Sequence, residues 1–137
     1  MHVALDRFTT QITSNTVVVG ASWEDSKATG VNGIQSDNSA SKSGAAYVFV
    51  RNGSSWSQQA YLKASNSQAD DAFGQSVAIS SDTIVVGAFT ESSRATGING
   101  NQTDKSAPLS GAAYVFLRND TNWTQLVWCP VNKWTYF

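Results

Sequence analysis

From Phe73 to Ser80, the apolar residues Val77 and Ile79 alternate with Ser76, Ala78 and Ser80, the period-two pattern of a β-strand with one apolar face. Ser81 and Asp82 form a polar turn. Thr83–Ala88 is then a β-branched run ending in Gly87 and Ala88, which predicts an inner strand buried on both faces and closely approached by another backbone. After a long polar loop, residues 111–118 make a third strand. The turn chemistry of residues 119–122 leads into a fourth, opened by Trp123. Asn52-Gly53 is the matching turn earlier in the chain and predicts a type I′ hairpin with both central residues at positive φ.

The paragraph from Gly20 to Gln58 recurs without a gap from Gly87 to Gln125, 67 positions later. A fixed self-similar period marks a repeat architecture, in which no unit buries its apolar face alone. In the earlier copy the fourth strand runs over residues 56–63, with polar positions suited to an outer edge. Four antiparallel strands per unit predict an all-β, propeller-type blade. A long loop between the second and third strands accounts for the long period.

The pattern divides the chain into a first repeat over 1–66, a second over 67–128 and a divergent tail over 129–137. About two blades of an incomplete propeller are therefore expected. In the first unit Val3-Ala4-Leu5 matches Val77-Ala78-Ile79, leaving residues 7–13 as extra sequence before Val17. After Gln125 the similarity stops. A frameshift, a retained non-coding segment, a truncation or a divergent capping segment would each produce that break.

Phe73-Gly74, Ser76-Val77-Ala78 and Val86-Gly87-Ala88, with Val19-Gly20-Ala21 and residues 43–49 in the first copy, resemble the FG-GAP repeat. That repeat is the blade motif of integrin α-subunit propellers and of many secreted or surface proteins in microbes. The resemblance implies a fragment of an extracellular or cell-surface interaction or adhesion module, non-catalytic, whose loops meet a protein or glycan partner. The alternatives are an accessory part of a larger surface-associated enzyme, or a truncated product without independent function. Phe89 stands where the motif ends in proline, and the first unit lacks a Phe-Gly pair.

Charged residues are 14% of the chain, with net charge −1 and pI about 5.6, so there is no basic footprint for nucleic acid. No apolar run suits membrane insertion, and the start carries no secretion signal. The single Cys129 excludes an intrachain disulfide. Asn52, Asn101, Asn119 and Asn122 fit the N-glycosylation pattern, which a Ser/Thr-rich chain also produces by chance.

Candidate chemistry is sparse. His2 is the only histidine and Cys129 has no second histidine to activate it, so no catalytic residue is assigned. Asp70 and Asp71 read as a hydrated linker whose side chains diverge. Integrin-type repeats carry a D-x-D-x-D-G-like calcium loop between the first two strands, where this chain has Ser80-Ser81-Asp82-Thr83. Glu24, Asn32, Gln35 and Asp37 recur as Glu91, Asn99, Gln102 and Asp104, but without the spacing of a calcium loop. No metal and no cofactor is expected. Trp23 is the best candidate for stacking on a ligand, whereas the recurring Trp56 and Trp123 are expected to pack against a neighbouring sheet. An isolated chain with an open sheet face and an apolar tail is expected to self-associate.

Overall fold

The computed structural model describes residues 8–131, which form eight strands and no helix. These are β1 (Phe8–Thr13), β2 (Thr16–Ala21), β3 (Ala45–Asn52), β4 (Ser55–Leu62), β5 (Phe73–Ser80), β6 (Thr83–Ala88), β7 (Ala112–Asn119) and β8 (Asn122–Pro130). They make two four-stranded antiparallel sheets, ordered β1-β2-β3-β4 and β5-β6-β7-β8. Each is an up-and-down blade. The two blades stack through a shared apolar core and do not close into a ring.

The registers of the blades repeat with the sequence. Gly20 pairs with Ala46 and Gly87 with Ala113, and a bulge falls between Val48 and Phe49 and again between Val115 and Phe116. At the first hairpin of each blade the turn begins at Ser14 or Ser81, both at positive φ. The Asn52 hairpin differs from expectation. Its turn residues are Gly53 and Ser54, and only Gly53 has positive φ, which matches the type II′ pattern instead of type I′.

The opening strand of the first blade is intact, which corrects the reading of residues 7–13 as extra sequence. Phe8–Thr13 pairs along its whole length with β2, from Phe8 opposite Ala21 to Thr13 opposite Thr16. Counted by the 67-residue period, Thr9–Thr13 is the equivalent of Ser76–Ser80 in the same register, whereas Phe8 faces Ala21 as Phe73 faces Ala88, without the bulge that β5 makes between Phe73 and Ser76. Thr and Gln occupy its exposed edge, and that polarity hid the match. Val3-Ala4-Leu5 lies outside the described residues.

The break after Gln125 is also a matter of side chains and not of backbone. β8 continues to Pro130, past the boundary drawn at residue 128, and Trp128 is fully buried at the position of Tyr61. Cys129 is therefore a strand residue opposite Ala113, not part of an irregular tail. Residues 132–137 lie outside the described residues.

Each inner strand buries one face against the other blade, and the buried face switches between copies. In β2 the most buried alternate positions are Thr16, Val18 and Gly20, whereas in β6 they are Ile84, Val86 and Ala88, one residue out of phase. Apolar residues on both faces make that switch possible. Val85 remains 39% exposed, so burial on both faces does not hold for β6 among the described residues.

Candidate functional site

Glycines bring the two backbones together. A Cβ on Gly20 would lie 2.0 Å from the Gly74 carbonyl oxygen, one on Gly44 would lie 2.0 Å from that of Phe73, and one on Gly74 would lie 2.2 Å from that of Ala45. Gly74 also has φ of 92°, a conformation that a side chain opposes. Phe73 and Gly44 form a parallel bridge, and the Phe73 N–H donates to the Ser43 carbonyl at 3.0 Å. The Phe73 ring meets Tyr114 edge-on at 5.2 Å and is fully buried. The Phe-Gly start of one blade is thus seated on the Gly-Ala steps of the other.

At the opposite end of the blades a second contact fixes the stack. Trp123 Nε1–H donates to Gln59 Oε1 at 2.8 Å, and Arg118 donates to the same oxygen and to Thr16 Oγ1. Trp123 is 4% exposed, as expected for a packing residue, whereas Trp56, its equivalent, is 45% exposed beneath Arg51.

Where the long loops of the two blades meet the linker, they enclose a cleft of about 520 Å³. Trp23 of the first blade and Phe89 of the second stand on its walls, 44% and 55% exposed. Lys42 Nζ lies 4.4 Å from the Trp23 ring centroid. The linker supplies Asp70 and Asp71. It is held against the first blade by Asp70 N–H to Ser41 O at 2.8 Å and Ala72 N–H to Lys42 O at 3.0 Å. Asp70 and Ala72 both have positive φ, and Thr90 donates its hydroxyl to the Asp70 carbonyl.

Asp71 departs from the hydrated-linker reading, for it is 4% exposed while Asp70 faces solvent. Burial raises its pKa to about 6, against the attraction of Lys105 Nζ at 4.0 Å, and Glu91 and Asp70 add to the rise. Its Oδ2 accepts from the Gln68 N–H at 3.0 Å. Sequence alone gave no sign of this setting, because Lys105 and Glu91, which act on the Asp71 carboxyl, come from the long loop of the second blade.

The recurring oxygen-bearing residues of the loops are placed as loop fasteners. Asn32 Oδ1 accepts the Tyr61 N–H at 3.0 Å and Asn99 Oδ1 accepts the Trp128 N–H at 2.9 Å, each Asn at positive φ. These bonds sew each loop to the outer strand of its blade. Glu24 pairs with Lys63 at 2.9 Å, and burial lowers the Lys63 pKa while Glu24 opposes that shift. Glu91 is fully buried against Lys105. Asp37 accepts the Lys27 N–H at 2.7 Å, which holds its carboxyl below the usual range, and Asp104 is lowered by the Ser106 side chain and then by the Ser106 N–H, which it accepts at 3.0 Å. Gln102 accepts from Ser65, and Gln35 is exposed. Among the described residues no cluster of three His, Cys, Asp or Glu side chains could hold a metal. His2 lies outside the described residues.

Two meander blades joined by a Phe-Gly step on Gly-Ala steps define a repeat protein of the propeller-blade class. The model of the FG-GAP repeat family matches residues 56–116, from β4 of the first blade into β7 of the second. No curated protein and no solved structure matched the chain.

Proposed function

We propose that this chain is a non-catalytic extracellular or cell-surface interaction module whose inter-blade cleft takes a protein or glycan ligand. The observation that carries the reading is the cleft itself. It is assembled from both blades, with aromatic surface at Trp23 and Phe89, cations at Lys42 and Lys105, and carboxylates at Asp70 and Asp71. Aromatic faces beside a few convergent polar groups suit the apolar faces and hydroxyls of a sugar, or a mixed peptide surface. FG-GAP repeats in secreted and surface proteins support the extracellular part of the reading. No helix among the described residues is long and apolar enough to cross a membrane.

A glycan array and a flow-cytometric cell-binding assay with the full chain test the reading. Binding is expected to fall at least about tenfold in Trp23→Ala/Phe89→Ala and to persist in Trp56→Ala, whose aromatic lies at the other end of the blade. Binding indifferent to the double substitution removes the cleft from consideration. Chemical turnover of the bound glycan or peptide, followed by mass spectrometry, would overturn the non-catalytic reading.

A further inference from the structure

Three donors converge on one buried carboxylate oxygen. Glu91 Oε1 accepts from Lys105 Nζ of the second long loop at 2.5 Å, from Asn66 Nδ2 of the linker at 3.1 Å and from Ser93 Oγ. Glu91 is fully buried, Lys105 is 19% exposed and Asn66 is partly buried. The amide oxygen of Asn66 has its own partner, for Tyr114 O–H donates to Asn66 Oδ1 at 2.6 Å. Tyr114 is fully buried beside Phe73, and burial raises its pKa, so the phenol stays protonated and remains a donor. An amine and a carboxamide thus share one proton acceptor, with a donor already on the carbonyl oxygen. The first blade lacks this arrangement. Its Glu24 pairs with Lys63, whose Nζ also donates to Ser43 Oγ at 2.7 Å, and no carboxamide bonds to the Glu24 carboxylate among the described residues.

We propose that Lys105 and Asn66 react within the folded chain to form an isopeptide bond, with Glu91 as the proton shuttle and Tyr114 as the oxyanion donor. Glu91 takes a proton from the Lys105 ammonium, and the amine so freed attacks Asn66 Cγ. Negative charge grows on Oδ1, where the Tyr114 hydroxyl is placed to stabilise it. The Cγ–Nδ2 bond then breaks while the new Cγ–Nζ bond stays. Nδ2 departs as ammonium, carrying the two protons that Nζ sheds, one of them passed through Glu91. No electrons change hands and no co-reactant is consumed. Folding supplies the rate, because an amide exchange that is negligible between free molecules proceeds when both groups are held on one shuttle. The ion pair of Lys105 and Glu91 is the reactant state of this step. Its product ties the linker to the second blade's long loop beside the cleft.

Intact-mass spectrometry of the folded full chain, followed until the mass is constant, tests the proposal. The expected product is lighter by about 17 Da, the mass of ammonia, and trypsin should release a branched peptide joining residues 66 and 105. Chain held unfolded in urea should keep its full mass. Lys105→Arg retains the cation and Asn66→Ala removes the carbonyl, and each should abolish the loss. Glu91→Gln should slow it at least about a hundredfold. Cooperative urea unfolding checks that these variants fold, and the branched peptide is read from the native chain without any variant. An unchanged mass in the folded native chain overturns the proposal. So does a loss that survives Lys105→Arg or proceeds equally in urea, which would mark succinimide formation at an Asn-Gly step such as Asn52-Gly53 instead.

Discussion

Lys105 neutralises the buried Glu91 carboxylate from within the loop, whereas the equivalent Glu24 takes its cation, Lys63, from the end of the outer strand. By the 67-residue period Lys63 corresponds to Pro130, and Lys105 to Asn38. The second blade has therefore moved the cation without losing the pair. Removing one partner of a buried pair leaves a charge in a low-dielectric site, at a cost of about 3–5 kcal/mol. Lys105→Met is expected to destabilise by an amount near the lower end of that range, since Lys105 is 19% exposed, read as a drop in urea midpoint. Glu91→Gln in the same background should recover part of the loss. Equal instability of the double variant would show that packing, not charge, was lost.

The two recurrent tryptophans should differ sharply in worth. Trp123 is buried and bonded to Gln59, so Trp123→Ala is expected to cost about 3–5 kcal/mol. Trp56→Ala, at a 45% exposed position, should cost less than about 1 kcal/mol. Chemical denaturation of the two variants checks the contrast. Similar losses would deny that Trp123 clamps the blades together.

Strands and repeat were legible because period-two patterning and turn residues are local signals, and β5 and β6 follow them to the residue. Phe8–Thr13 was not, since an edge strand with few apolar positions resembles a polar loop until its pairing with Val17, Val18 and Val19 is seen. Trp128 stands where Tyr61 does and preserves a buried aromatic although the sequence match has ended, an equivalence that only the pairing of β8 with β7 reveals. Of the cleft, only Trp23 stood out beforehand. Asp71, Lys105 and Phe89 acquire their setting from contacts across the blade junction, which no local pattern encodes. The loop Asn and Glu residues recurred visibly, but their bonds to outer strands and lysines are long-range.

Asp71 makes stability depend on pH in the opposite sense from a carboxylate whose pKa folding lowers. Its folded pKa, raised to about 6, lies above the ordinary 3.8, so between these values the folded chain binds more proton than the unfolded one. Its contribution is fully favourable below about pH 4, falls as pH rises through the folded pKa and is level above about pH 7. Glu91, Asp70 and Lys105 face this carboxyl and are part of the same balance. Relative to Asp71→Asn, the native chain should therefore lose about 1–3 kcal/mol between pH 4 and 7 in urea titrations. A difference that is flat or rises with pH would contradict the burial of this carboxyl as a charged group above pH 6.

Calcium should leave the fold unchanged, because the loop oxygens with the right chemistry already serve other partners. Glu24 and Glu91 are held by lysines, and Asn32 and Asn99 by main-chain N–H groups. Asp37 and Asp104 accept loop N–H bonds from Lys27 and Ser106. A calcium ion needs six to eight oxygens converging at about 2.4 Å, and recruiting these carboxylates would break the fasteners of both loops. Calcium near 1 mM acting on a site of Kd about 10 µM would add roughly 2.7 kcal/mol and raise Tm by several degrees. The expected shift is below about 1 °C, with chelator equally without effect. A calcium-dependent rise of several degrees, lost in Asp37→Ala or Asp104→Ala, would show that the loops rearrange to build a site their resting bonds conceal.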